Sequence, residues 1–381
     1  MTGHRSAMAA LLLCLVTVSV HTPVAVAAGV VRPPAIFVFG DSTMDVGNNN
    51  YLPGPDVPRA NKPYYGIDFP GSIPTGRFSN GYNIADYLAK NMGFASSPPA
   101  YLSLSASSSL LVRAALAAGV NYASGGAGIL DSTHAGNSVP LSRQVQYFNA
   151  TRSLMAAKLG SAGAANCLLS KSVFLISVGS SDMFVFHTAM QNKSTTPRQD
   201  SDVAAFYASL ISHYSATITE LYGMGARKFG IINVGLVGCT PAARLHDAKG
   251  GNCSDSLNQL ASGFDDALSS LLAGDRLAAA LPGLTYSLAD YFGLTQAVFD
   301  DPTATGYTDV AGACCGGGRL GAEAGCLPSS TPCADRDQHA FWDRENPSQR
   351  AAMQTAMNFY HNRPGRFTSP TDFKEMAETG L

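Results

Sequence analysis

Five short runs of apolar and β-branched residues, at Ala35–Phe39, Val120–Ala123, Val173–Val178, Lys228–Val234 and Leu284–Leu288, alternate with longer amphipathic stretches. That alternation constrains the fold more than any other feature of the chain. Short continuous apolar runs are strands covered on both faces, and strands separated by helices pair in parallel. The segments Asn83–Lys90, Leu141–Leu159, Val203–Tyr222 and Ser256–Leu281 carry apolar residues at three- and four-residue spacing, the period of a helix with one buried face. Gly223 and Gly225 mark the end of the third, and Pro347 opens a last helix, Ser348–Tyr360, where its missing N–H costs little. The pattern predicts an α/β protein: a three-layer α/β/α sandwich around a five-stranded parallel sheet.

Residues 51–80, rich in Pro and Gly, residues 96–118, rich in Ser and Ala, and the Gly/Cys stretch 311–336 show no period. They are expected to be long loops at the C-terminal edge of the sheet, where open α/β proteins bind ligands. No linker composition and no internal repeat interrupts the chain, so residues 28–381 read as one domain, expected to be a monomer.

A chain of 381 residues with 46% hydrophobic and 14% charged residues can bury a large core. A formal net charge of -2, with no basic cluster, excludes nucleic acid as a partner and leaves uncharged small molecules or surfaces. Residues 1–27 have the layout of a secretory signal peptide: His4 and Arg5 in a polar start, an apolar stretch from Met8 to Val20, then Ala25-Val26-Ala27. That stretch falls short of the roughly 20 residues a membrane span needs, so no transmembrane anchor is expected and the product is secreted.

Loss of the signal removes Cys14 and leaves Cys167, Cys239, Cys253, Cys314, Cys315, Cys326 and Cys333. In an oxidising compartment these form up to three bridges with one cysteine left over. Cys239 with Cys253, and two bridges among the four C-terminal cysteines, is favoured because short loops close readily; the pairing within the four stays open. Adjacent cysteines lack the usual ligand spacing of a zinc site, so no metal is expected. The sequons at Asn149, Asn192 and Asn252 fit a glycosylated product, whereas Pro347 disqualifies Asn346 as an acceptor.

The first apolar run breaks into Gly40-Asp41-Ser42-Thr43-Met44-Asp45-Val46-Gly47-Asn48-Asn49-Asn50, a strand ending at a tight turn that carries a serine. Such a turn presents a hydroxyl together with its own backbone N–H. A serine hydroxyl is a weak nucleophile unless a base lies within hydrogen-bond reach. Near the C-terminus, Phe341-Trp342-Asp343-Arg344-Glu345-Asn346 offers a carboxylate three residues before an amide.

Residues 35–50 resemble the first block of the plant GDSL esterase/lipase family of the SGNH hydrolase superfamily, with Thr43 where the namesake Leu often stands. Further blocks match in order: Asn121 to Ile129, Ser177 to Asp182, Asn233-Val234-Gly235 through Gly238-Cys239-Thr240-Pro241, and the cysteine-rich stretch leading to Asp343. The resemblance implies a flavodoxin-like sandwich, hydrolysis of carboxylic or lipid acyl esters without a cofactor, and an extracellular, cell-wall location. It implies Ser42 as nucleophile, the N–H groups of Ser42 and Gly126 as oxyanion donors, and Asp343 as the acid that orients the base. The third oxyanion donor, an Asn in the family, falls at Ser181, and the family's basic His falls at Asn346.

An amide has no basic lone pair at neutral pH, so Asn346 can bond to Ser42 but cannot take its proton. A serine hydroxyl donates one hydrogen bond with shorter reach than an Asn amide, so Ser181 is the milder change. A single base separates Asn from His codons, but the second departure at Ser181 argues against an isolated coding error. Three outcomes remain: an ester hydrolase of weakened or lost activity, an inactive pseudoenzyme binding a lipid or an acylated wall component, or a coding error at position 346. Among other groups, His339 shares the loop of Asp343, His187, His213, His246 and His361 lie elsewhere, and Glu345 would need burial to raise its basicity. Asp45 and Asp182 are expected to hold backbone N–H groups in turns, and neither Gly125–Gly128 nor Gly316–Gly318 is followed by the Lys-Ser/Thr of a phosphate loop.

Overall fold

Every residue of β1 (Ile36–Gly40) is buried, and its side chains alternate between two cores. Phe37 and Phe39 enter one and Ile36 and Val38 the other, the period of two that a strand imposes. The computed structural model describes residues 32–192, 200–246, 251–361 and 367–380. β1 pairs in parallel with β2 (Gly119–Asn121) and β3 (Val173–Ser177), followed by β4 (Lys228–Ile232) and β5 (Thr285–Ala289). The five predicted strands are therefore present and parallel, in the order β2-β1-β3-β4-β5.

Three short strands were not anticipated. β6 (Asp309–Ala313) and β7 (His339–Phe341) pair in parallel outside the main sheet, and β8 (Thr368–Ser369) adds an antiparallel sixth strand beside β5. Each is too short or too polar to carry a periodic signal.

The larger core is closed by the helices Leu141–Leu159, Ala162–Lys171, Asp200–Gly223 and Asp255–Ala273. Aromatic rings floor it: Phe37 lies 5.1 Å from Phe148 and 5.2 Å from Phe174, and Phe39 stacks on Tyr122 at 5.2 Å. The helices Ile84–Asn91, Gln349–Tyr360 and Phe373–Glu378 cover the opposite face, completing the three layers.

The helix ends have local causes. Asn83 caps the first, its side chain accepting from Asp86 N while Asp86 Oδ2 accepts from Asn83 N, a reciprocal capping box. Ser348 caps the Gln349–Tyr360 helix by accepting from Ala351 N, so Pro347 stands just outside the cap rather than at the first helical position. The single helix expected over 256–281 is two, because Gly274 is extended between Ala273 and Asp275. Residues 96–118 are not one loop. Ser107 caps a helix, Ser108–Ala117, whose buried face is Leu111, Val112 and Ala115; its small residues had hidden the period. Among the described residues no helix is long and apolar enough to cross a membrane. The predicted signal, residues 1–27, lies outside them.

Candidate active site

Strand order reverses beside β1, since the chain leaves it for β2 on one side and returns as β3 on the other. Crevices at such a switch point, past the C-terminal ends of the strands, are where open α/β sheets bind ligands. Ser42 lies two residues beyond β1 at that edge.

The turn is held from several directions. Gly40 approaches Ser177 so closely that a Cβ would sit 2.3 Å from the carbonyl oxygen, so only glycine fits. The Gln144 side chain brackets it, Oε1 accepting from Gly40 N and Nε2 donating to Gly40 O, each at 2.9 Å. The Asp41 carboxylate accepts from Thr43 N at 3.0 Å and Thr43 Oγ1 at 2.8 Å. Burial pushes Asp41 up to about 6, the Thr43 donors opposing that rise.

The polar residues after Ser42 grip the segment that carries Gly126. Asp45 Oδ1 accepts from Gly47 N and Asn48 N, each at 2.7 Å, and Oδ2 from Gly125 N at 3.0 Å. Asn48 Nδ2 donates to the carbonyls of Asn121 and Ala123, and Asn49 Nδ2 to those of Pro58 and Gly125. Asp182 completes the scaffold, accepting from Ile129 N at 2.8 Å, Leu130 N at 3.2 Å and Thr133 Oγ1 at 2.6 Å. Asp45 holds the N–H groups of its own turn as its sequence context predicted, whereas Asp182, in the first turn of the helix Ser180–Asn192, holds those of the distant segment 129–130 instead.

Among the described residues neither Ser42 N–H nor Gly126 N–H meets a protein acceptor. Ser42, Gly126, Ser181, Glu345 and Asn346 line one cavity of about 440 Å³. A narrower, mostly apolar compartment of about 90 Å³ adjoins it, and Ser42, Ser181, Phe184 and Glu345 line both. The compartment shares Tyr291, Thr295, Phe299, Phe341 and Pro347 with a third hollow of about 480 Å³ that continues away from Ser42.

Asp343 is buried and accepts from four groups. Tyr65 Oη donates to Oδ2 at 2.8 Å, Glu345 N and Asn346 N donate to Oδ1 at 2.9 and 2.8 Å, and Asn346 Nδ2 bridges both oxygens at 2.9 and 3.0 Å. The amide nitrogen must face the carboxylate, because the reverse orientation would set oxygen against oxygen. Asn346 Oδ1 is left buried with no hydrogen-bond partner. Below this loop, Trp342, Tyr65 and Phe78 pack against Cys314, Cys315 and Cys326.

The bridges are Cys239–Cys253, Cys314–Cys333 and Cys315–Cys326, and Cys167 is free and exposed. The C-terminal pairing left open by sequence is thus decided. His339 does not reach the cavity; it lies on β7 between Asp309 and Asp335, with Nδ1 3.4 Å from Cys333 Sγ. His187 and His246 do line it, and so does His134, which no motif had marked. His134 Nδ1 lies 2.9 Å from Gly126 O, an arrangement in which the ring N–H donates to the carbonyl. Tyr65 also escaped sequence reading, because the segment 51–80 has neither period nor motif. Asn149 and Asn252 are exposed, whereas the side chain of Asn192 lies outside the described residues.

The GDSL-like lipase/acylhydrolase family model matches residues 36–359. GDSL esterase/lipase 7 of Arabidopsis thaliana is 35% identical, covering 97% of this chain and 100% of its own length. GDSL esterase/lipase At5g55050 of the same plant is 36% identical, covering 91% of this chain and 90% of its own. With the match running from β1 to the last turn of the Gln349–Tyr360 helix, the chain belongs to the GDSL-like lipase/acylhydrolase family.

Proposed function

We propose that this protein is a secreted carboxylic ester hydrolase of low turnover, with Ser42 as nucleophile. The observation that carries the reading is that Ser42 and Gly126 line one cavity and that, among the described residues, the backbone N–H of neither has a protein acceptor. Donors preorganised for a developing oxyanion are the largest single term in acyl-transfer catalysis. Ser181 supplies a hydroxyl at the start of the helix Ser180–Asn192, where the family carries an amide. The hollow continuing past Phe299 and Phe341 offers Leu294 and Val298 as apolar walls for the acyl chain. Low turnover follows from position 346. The Asn346 amide reproduces the hydrogen bond an imidazole N–H would give Asp343, but at position 346 it offers no basic nitrogen to take the Ser42 proton. The signal-like residues 1–27 and the sequons at Asn149, Asn192 and Asn252 support secretion and glycosylation.

One observation favours the second reading, a pseudoenzyme that binds lipid or an acylated wall component. Asn346 Oδ1 is a buried acceptor without a partner, suited to a bound hydroxyl. Hydrolysis of p-nitrophenyl acetate by the mature, glycosylated protein beside its Ser42→Ala variant separates the two. Turnover lost in Ser42→Ala supports the hydrolase. Equal background rates, with no fluorophosphonate labelling of Ser42, support the binding role.

A further inference from the structure

Glu345 shares with Ser42, Ser181 and Phe184 the position between the two compartments of the site. We propose that, in the ester hydrolase read above, the Glu345 carboxylate takes the Ser42 proton in place of the missing imidazole. This rests on Ser42 being the nucleophile.

Three features support the assignment. Asp343 Oδ1 accepts from Glu345 N at 2.9 Å, so the carboxylate that orients the family base here fixes the backbone of the neighbouring acid. The Glu345 side chain keeps 55% of its surface accessible, and it opens into both compartments that Ser42 lines. Among the described residues its nearest cation, Arg344 Nε, stands 3.6 Å away, longer than a strong charge-assisted hydrogen bond, which leaves the carboxylate available to a hydroxyl.

The charged surroundings suit a base. Among the charges around it, Asp343 raises the Glu345 carboxyl while Arg344 and His134 lower it. His187, His246 and Asp56 also face the larger compartment, and Asp41 the narrower one. The alternatives are worse placed. Asp41 is engaged by Thr43, His187 Nε2 lies 2.8 Å from Ser256 Oγ, and His134 lines only the larger compartment of the two.

The step balances without any further reagent. The Ser42 proton moves to a Glu345 oxygen as the Oγ–carbon bond forms, and the carbonyl π pair moves to the oxygen facing the Ser42 and Gly126 N–H groups. Collapse breaks the carbon–oxygen bond of the leaving alcohol, which takes the proton from Glu345. Water, deprotonated by Glu345, then attacks the acyl-enzyme. Release of the acid returns the proton to Ser42.

The test measures kcat/KM against pH for p-nitrophenyl acetate with the wild type, Ser42→Ala, Glu345→Gln, Glu345→Asp, His134→Gln, and Glu345→Gln combined with Asn346→His. Glu345→Gln is expected to lose about 100-fold and the acidic limb of the profile, with partial rescue by Glu345→Asp. In the Asn346→His background the same substitution costs under about tenfold, because an imidazole then supplies the base. A structural role would give equal penalties in both backgrounds. Ser42-dependent turnover that survives Glu345→Gln with its acidic limb intact overturns the role of Glu345 and leaves the hydrolase standing. Loss of that limb in His134→Gln instead transfers the role to His134. A wild type no faster than Ser42→Ala overturns both readings.

Discussion

The phenol of Tyr65 donates to Asp343 Oδ2 at 2.8 Å across a separation of 278 residues, tying an aperiodic N-terminal loop to the acid of the C-terminal motif. Burial, then the Asp343 charge, push the Tyr65 phenol well above its ordinary value, so it stays a donor across the working range. Tyr65→Phe leaves Asp343 buried with one donor fewer and is expected to cost about 1–3 kcal/mol, read as a lower urea midpoint at unchanged m-value.

Asn346→His restores a ring nitrogen at a position whose partner carboxylate is already in place. The expected gain in kcat/KM for a p-nitrophenyl ester is at least about 100-fold, since general-base catalysis contributes that much or more where the geometry is sound. An unchanged rate with an intact fold would show that the cavity does not bring position 346 and Ser42 into reach.

Ser181→Asn, made in the Asn346→His background, extends a short hydroxyl into an amide donor at the cavity wall. An added oxyanion donor should raise kcat by about tenfold or more with little change in KM, because the interaction forms only in the transition state. A change confined to KM would place residue 181 in ground-state binding instead.

The bridge Cys315–Cys326 closes a loop of separation 11, and Cys315 N donates to Trp342 O beside Asp343. Replacing both cysteines by Ala is expected to cost about 3 kcal/mol from the freed unfolded chain. Thermal unfolding gives the stability loss. Faster amide exchange over residues 341–346 would show that the bridge also holds the site loop.

The buried carboxyl of Asp41 makes stability depend on pH. Its folded pKa, about 6, lies above the ordinary 3.8, so the fold binds the proton more tightly than the unfolded chain does. Its contribution to stability is full below about pH 4 and is lost as pH rises through about 6. Asp41→Asn keeps an oxygen for the Thr43 donors and removes the titration. Between pH 4 and 7 the variant should therefore gain about 2 kcal/mol relative to the wild type, read from urea midpoints at each pH. A constant difference across that range would refute the shift.

By itself the sequence determined the layers and the chemistry on offer. Buried parallel strands must be continuously apolar and their helices must show one buried stripe, so β1 to β5 and most of the long helices could be read from side-chain periodicity. The Gly-Asp-Ser turn and the Asp343 loop were legible because tight turns and reactive groups demand particular residue types at fixed spacing. The helix Ser108–Ala117 was hidden because Ala and Ser give little contrast between faces, and β8 because two residues carry no period.

The tertiary structure alone decided what those residues meet. Tyr65 reaches Asp343, Glu345 joins Ser42 between two compartments, Asn346 turns its amide nitrogen to Asp343 and strands its oxygen, and the four clustered cysteines pair as Cys314–Cys333 and Cys315–Cys326. Local sequence sets backbone propensity and polarity over a few residues. Contacts across hundreds of residues depend on how strand order and loop packing bring distant segments to one edge of the sheet.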